Sequence, residues 1–234
     1  MKRLSLITIV LLIGIFVSVG MVSAQDADTT ISKISIIKNE NIAKEKIMQV
    51  VKTEVGDKFD RDALRKDMQR IMELGYFQDI KASFKNFEDG LEVIFEVVEN
   101  PVVNKVKISG NEVYSKEEII DLAGIIRGEV LNVKNLNNGL KDLQYKYQDD
   151  GYILASFKNV DISKEGVLSI DIDIGHINDI IIKGNTKTKD YVIKRHLDIE
   201  KGEILKISEV QEAYRNLYGL QYFKSIQPDF ERVE

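Results

Sequence analysis

The sequence contains no cysteine. Without thiols the chain has no disulfide bond, no thiolate metal site, no cysteine nucleophile and no acylated lipoprotein cysteine. The fold must therefore be held together by core packing alone. Hydrophobic residues make up 44% of the chain and charged residues 30%, a composition that is typical of a folded protein and excludes wholesale disorder.

The chain also lacks an excess of positive charge. It has 33 lysine and arginine residues against 38 aspartate and glutamate residues, which gives a formal net charge of -5. Nucleic-acid-binding proteins usually present a basic face, and no such face is evident here. Nucleic acid is therefore not a predicted partner.

Residues for catalysis and metal binding are scarce as well. His176 and His196 are the only histidines, and they lack the close helical spacing and carboxylate partners of a metal site, which favours structural or surface roles. Asp171 and Asp173 stand at strand spacing and predict a solvated strand face, with a weak cation site as the alternative. No Ser-His-Asp or other catalytic set occurs, so we predict no enzymatic activity, no metal and no cofactor.

Long apolar runs occur only at the N-terminus. Lys2 and Arg3 precede an apolar stretch over residues 4–19, and residues 22–24 (VSA) place small side chains where a signal peptidase cleaves. This pattern predicts a cleaved secretory signal peptide over residues 1–24 and export of the mature chain. The alternative is an uncleaved membrane anchor, but the apolar stretch is shorter than the roughly 20 residues of a spanning helix.

The remaining sequence repeats itself with a period of 72 to 74 residues. Residues 107–111 (KISGN) recur at 181–185 (IIKGN), and a weaker copy occupies 36–40 (IIKNE). Such a period indicates an array of similar supersecondary units. Each copy is followed by an amphipathic segment (44–51, 116–123 and 188–197) and then by a glycine in a charged stretch (Gly56, Gly128 and Gly202).

A second helix is predicted in each repeat, beginning near Asp60, Asn132 and Lys206. Its apolar residues recur every three or four positions, which indicates one buried stripe per helix. The stripes are Leu64, Met68, Ile71 and Met72 in the first repeat, Leu136, Leu140, Leu143 and Tyr147 in the second, and Val210, Ala213, Tyr214 and Leu217 in the third.

Each second helix ends in a turn that contains aromatic residues, at 74–77 (LGYF), 150–153 (DGYI) and 219–223 (GLQYF). Because these aromatic residues recur at one place in every repeat, we predict that they belong to the core, with peptide contact as the alternative. In the first repeat a strand with period-two alternation follows, and a turn at 88–90 (EDG) leads into a further alternating strand. This pattern predicts a hairpin with one buried face.

One repeat therefore reads strand, helix, helix, strand, strand. This order predicts an α+β fold in which a three-stranded sheet is covered by two helices. We predict tandem modules at residues 31–100, 101–175 and 176–234. The third is incomplete because its third strand is missing, and residues 221–230 would supply its second strand.

These features resemble the POTRA domains of the Omp85 (BamA) outer-membrane assembly family. The resemblance covers the chain from about residue 31 to its end and rests on several features in the same order. These are the βααββ pattern, Gly110-Asn111 and Gly184-Asn185 after the first strand, residues 75–77 (GYF) and 151–152 (GY) after the second helix, and acidic residues over 96–99 at the end of the third strand.

The resemblance implies a periplasmic arm that binds unfolded outer-membrane proteins and accessory assembly subunits. In the family, an extended segment pairs with the open edge of the second strand by β-augmentation. The corresponding edges here are residues 79–85 and 154–160. The implied binding residues are Ile80, Lys81, Ala82, Ser83 and Phe84 on the first edge and Ala155, Ser156, Phe157 and Lys158 on the second.

The transmembrane barrel of the family would need many alternating strands of about ten residues, and no such series follows the third module. We therefore expect association with the outer membrane only through a barrel absent from this chain, as in a fragment or a truncated reading frame. A relative that lacks the barrel is the alternative. The alternative function is a POTRA-type scaffolding adaptor of the cell envelope, in division or secretion, without barrel-assembly activity.

Overall fold

The computed structural model describes residues 29–231, so the predicted signal peptide lies outside the described residues. The described chain divides into two compact units. One comprises the residues up to 106 with 120–139 and 161–168, and the other comprises 107–119, 140–160 and the residues from 169 onward.

The strands are β1 (Ile31–Ile37), β2 (Phe77–Phe87), β3 (Gly90–Glu99), β4 (Lys105–Ser109), β5 (Ser156–Ile162) and β6 (Val167–Asp173). The helices are α1 (Lys44–Met48), α2 (Arg61–Met72), α3 (Lys116–Leu122), α4 (Val133–Asp149), α5 (Asp190–Lys194) and α6 (Ile207–Gly219).

The third strand of the first repeat lies at the centre of its sheet. The strand order is β1-β3-β2, with β1 parallel and β2 antiparallel to β3. Val93, Phe95 and Val97 on β3 are completely buried, because this strand has a neighbour on each side and helices over one face. The second sheet has the equivalent order β4-β6-β5. The predicted α+β class and three-stranded sheets are confirmed.

The second helices follow the predicted stripes. In α2, Leu64, Met68 and Ile71 are buried, and in α4 the four stripe residues Leu136, Leu140, Leu143 and Tyr147 are all buried. The start of α2 was also predicted correctly, since the Asp60 carboxylate caps the helix by accepting hydrogen bonds from the backbone N–H groups of Asp62 and Ala63.

The first helices are shorter than predicted. Helix α1 ends at Met48 rather than at residue 51, because the chain beyond it turns toward Asp67 of α2. The buried Asp67 carboxylate accepts hydrogen bonds from the backbone N–H groups of Lys52 and Thr53 at 2.6 and 3.1 Å, and from the Thr53 hydroxyl and the Arg70 guanidinium. These donors lower the pKa of Asp67 even though burial alone would raise it.

The turn predicted after the first strand of each repeat is present at all three positions, although no strand precedes it in the third repeat. A residue with positive φ is followed by an asparagine whose side-chain amide donates to the carbonyl oxygen three residues later. Glycine suits this left-handed position, and Lys38 occupies it in the weaker first copy with φ of 64°. The pairs are Lys38-Asn39, Gly110-Asn111 and Gly184-Asn185.

The third repeat differs from its prediction. Within the described part of residues 177–231 there are two helices, α5 and α6, and no strand, so the strand predicted at 221–230 does not form. The reason is visible in the first sheet, where β1 and β2 are both paired to the central third strand. The described residues 177–231 contain no strand that could take that central place. Tyr214, predicted as part of the buried stripe of α6, is consequently 38% exposed.

Asn100 connects the end of the first sheet to the segment before α4 through hydrogen bonds. Its buried side-chain amide donates to the carbonyl oxygens of Gly75 at 3.0 Å and Leu131 at 2.8 Å. Its backbone N–H donates to the carbonyl oxygen of Tyr76, and the carbonyl oxygen of Pro101 accepts from the N–H of Leu131. The stretch around Pro101 is therefore hydrogen-bonded and not a free linker.

Glu92 connects the three strands of the first sheet on the face opposite the helices. Its carboxylate accepts a hydrogen bond of 2.6 Å from the Ser35 hydroxyl of β1 and lies 3.2 Å from the ammonium groups of Lys33 on β1 and Lys85 on β2. The hydrogen bond from Ser35, followed by those from Lys85 and Lys33, outweighs desolvation and lowers the pKa of Glu92 to about 2.

We expect Asn100→Ala to destabilise the first sheet by about 2 kcal/mol, because two buried carbonyl groups lose a donor. The free energy of opening would be measured from hydrogen exchange of the slowest amides of β3. Asn138→Ala, at an exposed position of α4, is the matched control. Equal exchange in the two variants would contradict the structural role of Asn100.

The low pKa of Glu92 predicts acid sensitivity of the first sheet. The pKa is lower in the folded protein than the ordinary value of 4.5. The stabilisation is therefore fully present above about pH 4.5 and is lost as the pH falls toward about 2. Urea unfolding measured across this range should show a shallower pH dependence for Glu92→Gln than for the wild type. Glu88→Gln in the exposed hairpin turn should keep the wild-type slope, and a wild-type slope for Glu92→Gln would contradict this account.

Candidate functional site

Strand β2 forms an open edge of the first sheet. It pairs with β3 on one side and stands at the end of the strand order. The five predicted residues Ile80, Lys81, Ala82, Ser83 and Phe84 all lie on it. An edge strand presents unpaired backbone N–H and C=O groups to which another extended chain can bind.

The hairpin that joins β2 to β3 determines which backbone groups face outward. Phe87 and Gly90 are directly opposed across the two-residue loop, and only the hydrogen-bonded type of antiparallel pair can close so short a loop. Alternate residues of a strand direct their N–H and C=O groups to opposite sides. Lys85, Ser83 and Lys81 therefore bond to β3, whereas Phe84, Ala82 and Ile80 direct their N–H and C=O groups toward the open edge.

The side chains of β2 alternate between the two faces of the sheet, as predicted. Ile80 is buried, and Ala82 and Phe84 are half-buried against the core, whereas Lys81 and Ser83 are exposed. A strand added at this edge would thus meet apolar side chains on the helix side and polar side chains on the solvent side.

Phe84 is held in place by neighbours at the start of α2. Its ring lies 4.7 Å from the ring of Phe59 in an edge-to-face arrangement, and the Arg61 guanidinium lies 5.9 Å from its centroid. Edge-to-face aromatic pairs and cations over rings are both favourable. The half-exposed Phe84 therefore supplies a fixed apolar surface beside the open edge.

The N-terminal end of this edge is irregular. The register shifts between Phe77 and Asp79, which leaves Gln78 without a paired residue on β3. The carboxylate of Asp79 accepts a hydrogen bond of 2.9 Å from the backbone N–H of Ile80. Sequence reasoning did not single out Asp79 for this role, because an aspartate at the start of a strand resembles any other solvated residue.

Strand β5 is the corresponding edge of the second sheet, and it begins at Ser156. Ser156 is half-buried, Phe157 is buried, and the exposed Lys158 lies 2.9 Å from the Asp173 carboxylate. Ala155 lies before the strand. Its N–H donates to the carbonyl oxygen of Tyr152, and its own carbonyl accepts from the Gln144 side chain at 2.6 Å, so both of its backbone groups already have partners within the chain.

The histidines and paired aspartates form no recognisable metal centre. His176 lies 3.5 Å from the Glu112 carboxylate, and Asp171 accepts a hydrogen bond from the Ser109 hydroxyl. Across residues 29–231 there is no group of three or more histidine, aspartate or glutamate side chains placed to hold a metal ion. In the same range, no helix has the length and apolar character needed to cross a membrane.

The aromatic residues after the second helices differ from one repeat to the next. Phe77 is buried as predicted, and Tyr76 and Tyr152 are half-buried, but Tyr222 is 64% exposed. The Tyr76 hydroxyl accepts a hydrogen bond of 2.8 Å from the Lys46 ammonium, which lowers the pKa of Tyr76. The prediction of a core role thus holds for Phe77 and is wrong for Tyr222.

Comparison with protein families matches POTRA, described as surface antigen variable number repeat, over residues 29–100, 101–175 and 175–234. A protein of Nitratidesulfovibrio vulgaris, named outer membrane protein assembly factor BamA, is 28% identical over 165 residues, or 70% of this chain and 20% of that protein. A protein of Treponema pallidum, named putative outer membrane protein assembly factor, is 33% identical over 132 residues, or 53% of this chain and 16% of that protein. The chain therefore spans a fifth or less of the length of these curated relatives.

Two solved structures have the same fold. The N-terminal domain of Omp85 from Thermosynechococcus elongatus superposes with a TM-score of 0.75 at 26% identity, covering 85% of this chain and 88% of that one. The POTRA1-3 segment of the periplasmic domain of Omp85 from Anabaena superposes with a TM-score of 0.67 at 25% identity, with the same coverage.

The alternation of backbone directions predicts an alternation of hydrogen exchange along β2. The amides of Lys81, Ser83 and Lys85 should exchange about a hundredfold more slowly than those of Ala82 and Phe84, because only the first set is bonded to β3. Amide exchange followed by NMR on the free protein tests this directly. Equal protection of both sets would show that the edge is covered or that its groups point the other way.

Proposed function

Since the chain belongs to the POTRA family, we propose that it forms the periplasmic arm of an outer-membrane protein assembly factor. In this role it binds unfolded β-barrel proteins and accessory assembly subunits as added strands at its sheet edges. It reaches the periplasm through the N-terminal signal peptide and acts next to the outer membrane. The names of the two curated relatives and the two Omp85 structures support this assignment.

The observation that carries the proposal is the open edge of β2. Ala82 and Phe84 direct their N–H and C=O groups outward, beside a fixed aromatic surface formed by Phe84 and Phe59. Backbone pairing does not depend on the sequence of the added strand, so one edge can accept many different clients. The apolar residues that alternate along a barrel strand would lie next to Ala82 and Phe84.

The edge of β5 is the second proposed binding site, over Ser156, Phe157 and Lys158. Its buried Phe157 and exposed Lys158 repeat the alternation of apolar and polar residues seen on β2. This edge gives the chain a second place at which an extended client segment can pair.

A proline at position 82 tests the role of the β2 edge. Ala82→Pro removes the outward N–H but leaves the hydrogen bonds to β3 intact, and proline is tolerated on an edge strand in this orientation. We expect its affinity for peptides taken from transmembrane barrel strands to fall by about tenfold or more. The measurement is titration of the 15N-labelled protein with such a peptide, followed by amide chemical shifts.

Two further variants complete this test. Ala82→Thr keeps the N–H and should bind like the wild type. Ser83→Pro removes an N–H that bonds to β3 and should instead destabilise the sheet. If Ala82→Pro stays folded and binds the peptide as tightly as the wild type, the β2 edge is not the binding site.

A further inference from the structure

The open edge of β2 is not uniform along its length. Ile80, Ala82 and Phe84 share one backbone orientation, yet among residues 29–231 only the N–H of Ile80 already has an acceptor on this side, the carboxylate of Asp79 at 2.9 Å. Asp79 also stands where the register with β3 shifts by one residue. Such irregularities end strand pairing and turn an edge away from further partners.

Because the backbone N–H of Ile80 already donates to the Asp79 carboxylate, it is not free to donate to an added strand. A carbonyl oxygen of an added strand would have to displace the carboxylate from the Ile80 N–H and would then lie beside a negative charge. Hydrogen bonds to charged acceptors are stronger than those between neutral groups, and the exchange of one for the other is unfavourable. On β2, no side-chain acceptor occupies the backbone N–H groups of Ala82 and Phe84, so an added strand can pair with them directly.

We propose that Asp79 is a specificity-determining residue that sets where an added strand must stop on the β2 edge. This inference rests on the proposed strand addition and specifies which residues of β2 pair with the added strand. A bound segment pairs with Ala82 and Phe84 and extends toward the hairpin turn at Glu88, but it does not pair with Ile80. Asp79 thereby limits the edge to a short segment and holds every client at the same position relative to Phe84.

The wild type and two variants of residue 79 test the inference in the full chain, with barrel-strand peptides of two lengths that differ by two residues. Hydrogen exchange of the Ile80, Ala82 and Phe84 amides is followed by NMR with and without peptide. In the wild type, peptide should protect Ala82 and Phe84 and leave Ile80 unchanged, and the longer peptide should bind no more tightly than the shorter one.

In Asp79→Ala the Ile80 N–H becomes available. Peptide should then protect Ile80 as well, and the longer peptide should bind about fivefold more tightly than the shorter one, since one further hydrogen-bonded pair forms. Asp79→Asn keeps a side-chain oxygen that can accept from Ile80 but carries no charge, so the peptide should protect Ile80 more than in the wild type and less than in Asp79→Ala. The amides of Lys81, Ser83 and Lys85 report whether β2 still pairs with β3 in each variant.

The outcomes separate the two proposals. Protection of Ile80 in the wild type to the same extent as Ala82 overturns the role of Asp79 and leaves strand addition in place. An Asp79→Asn protein that behaves like Asp79→Ala overturns the hydrogen-bond mechanism. If no peptide protects Ala82 and Phe84 in any variant, strand addition itself is wrong, and the role of Asp79 is overturned with it.

Discussion

The central position of the third strand is the constraint on which the rest of the structure depends. Because β3 pairs with β1 on one side and with β2 on the other, neither β1 nor β2 has a partner strand until β3 has formed. The same order makes β3 the most buried strand and leaves β2 at an edge. It also accounts for the third repeat, in which residues 177–231 have the two helices of the fold but no strand.

The edge that this order exposes is limited at both ends. On one side the hairpin turn at Glu88 ends β2, and on the other the register shift and the Asp79 carboxylate interrupt it. Long, regular edges promote uncontrolled aggregation. A protein that uses an edge for binding must keep it available and still restrict what pairs with it. On β2 the available stretch around Ala82 and Phe84 is short and lies beside the aromatic pair of Phe84 and Phe59.

Sequence patterns predicted those parts of the fold that recur with a period. The apolar stripes of α2 and α4, the alternation on β2 and the turns at Gly110 and Gly184 all follow from residue spacing. The pattern failed where a single polar side chain decides the structure. Asp67 shortens α1, Asn100 binds the chain around Pro101, and Asp79 closes one end of the edge. Each of these residues acts on a backbone group that the spacing of apolar residues does not reveal.

The parallel pairing of β1 with β3 imposes an order on a chain that emerges N-terminus first. Ile31 pairs with Leu91, so β1 must wait for 60 more residues to emerge. Once β3 emerges, the sheet can close, but the side chain of Asn100 still lacks its second acceptor. That acceptor, the carbonyl oxygen of Leu131, lies 31 residues further along the chain. The first repeat therefore gains this buried hydrogen bond only after part of the second repeat has emerged.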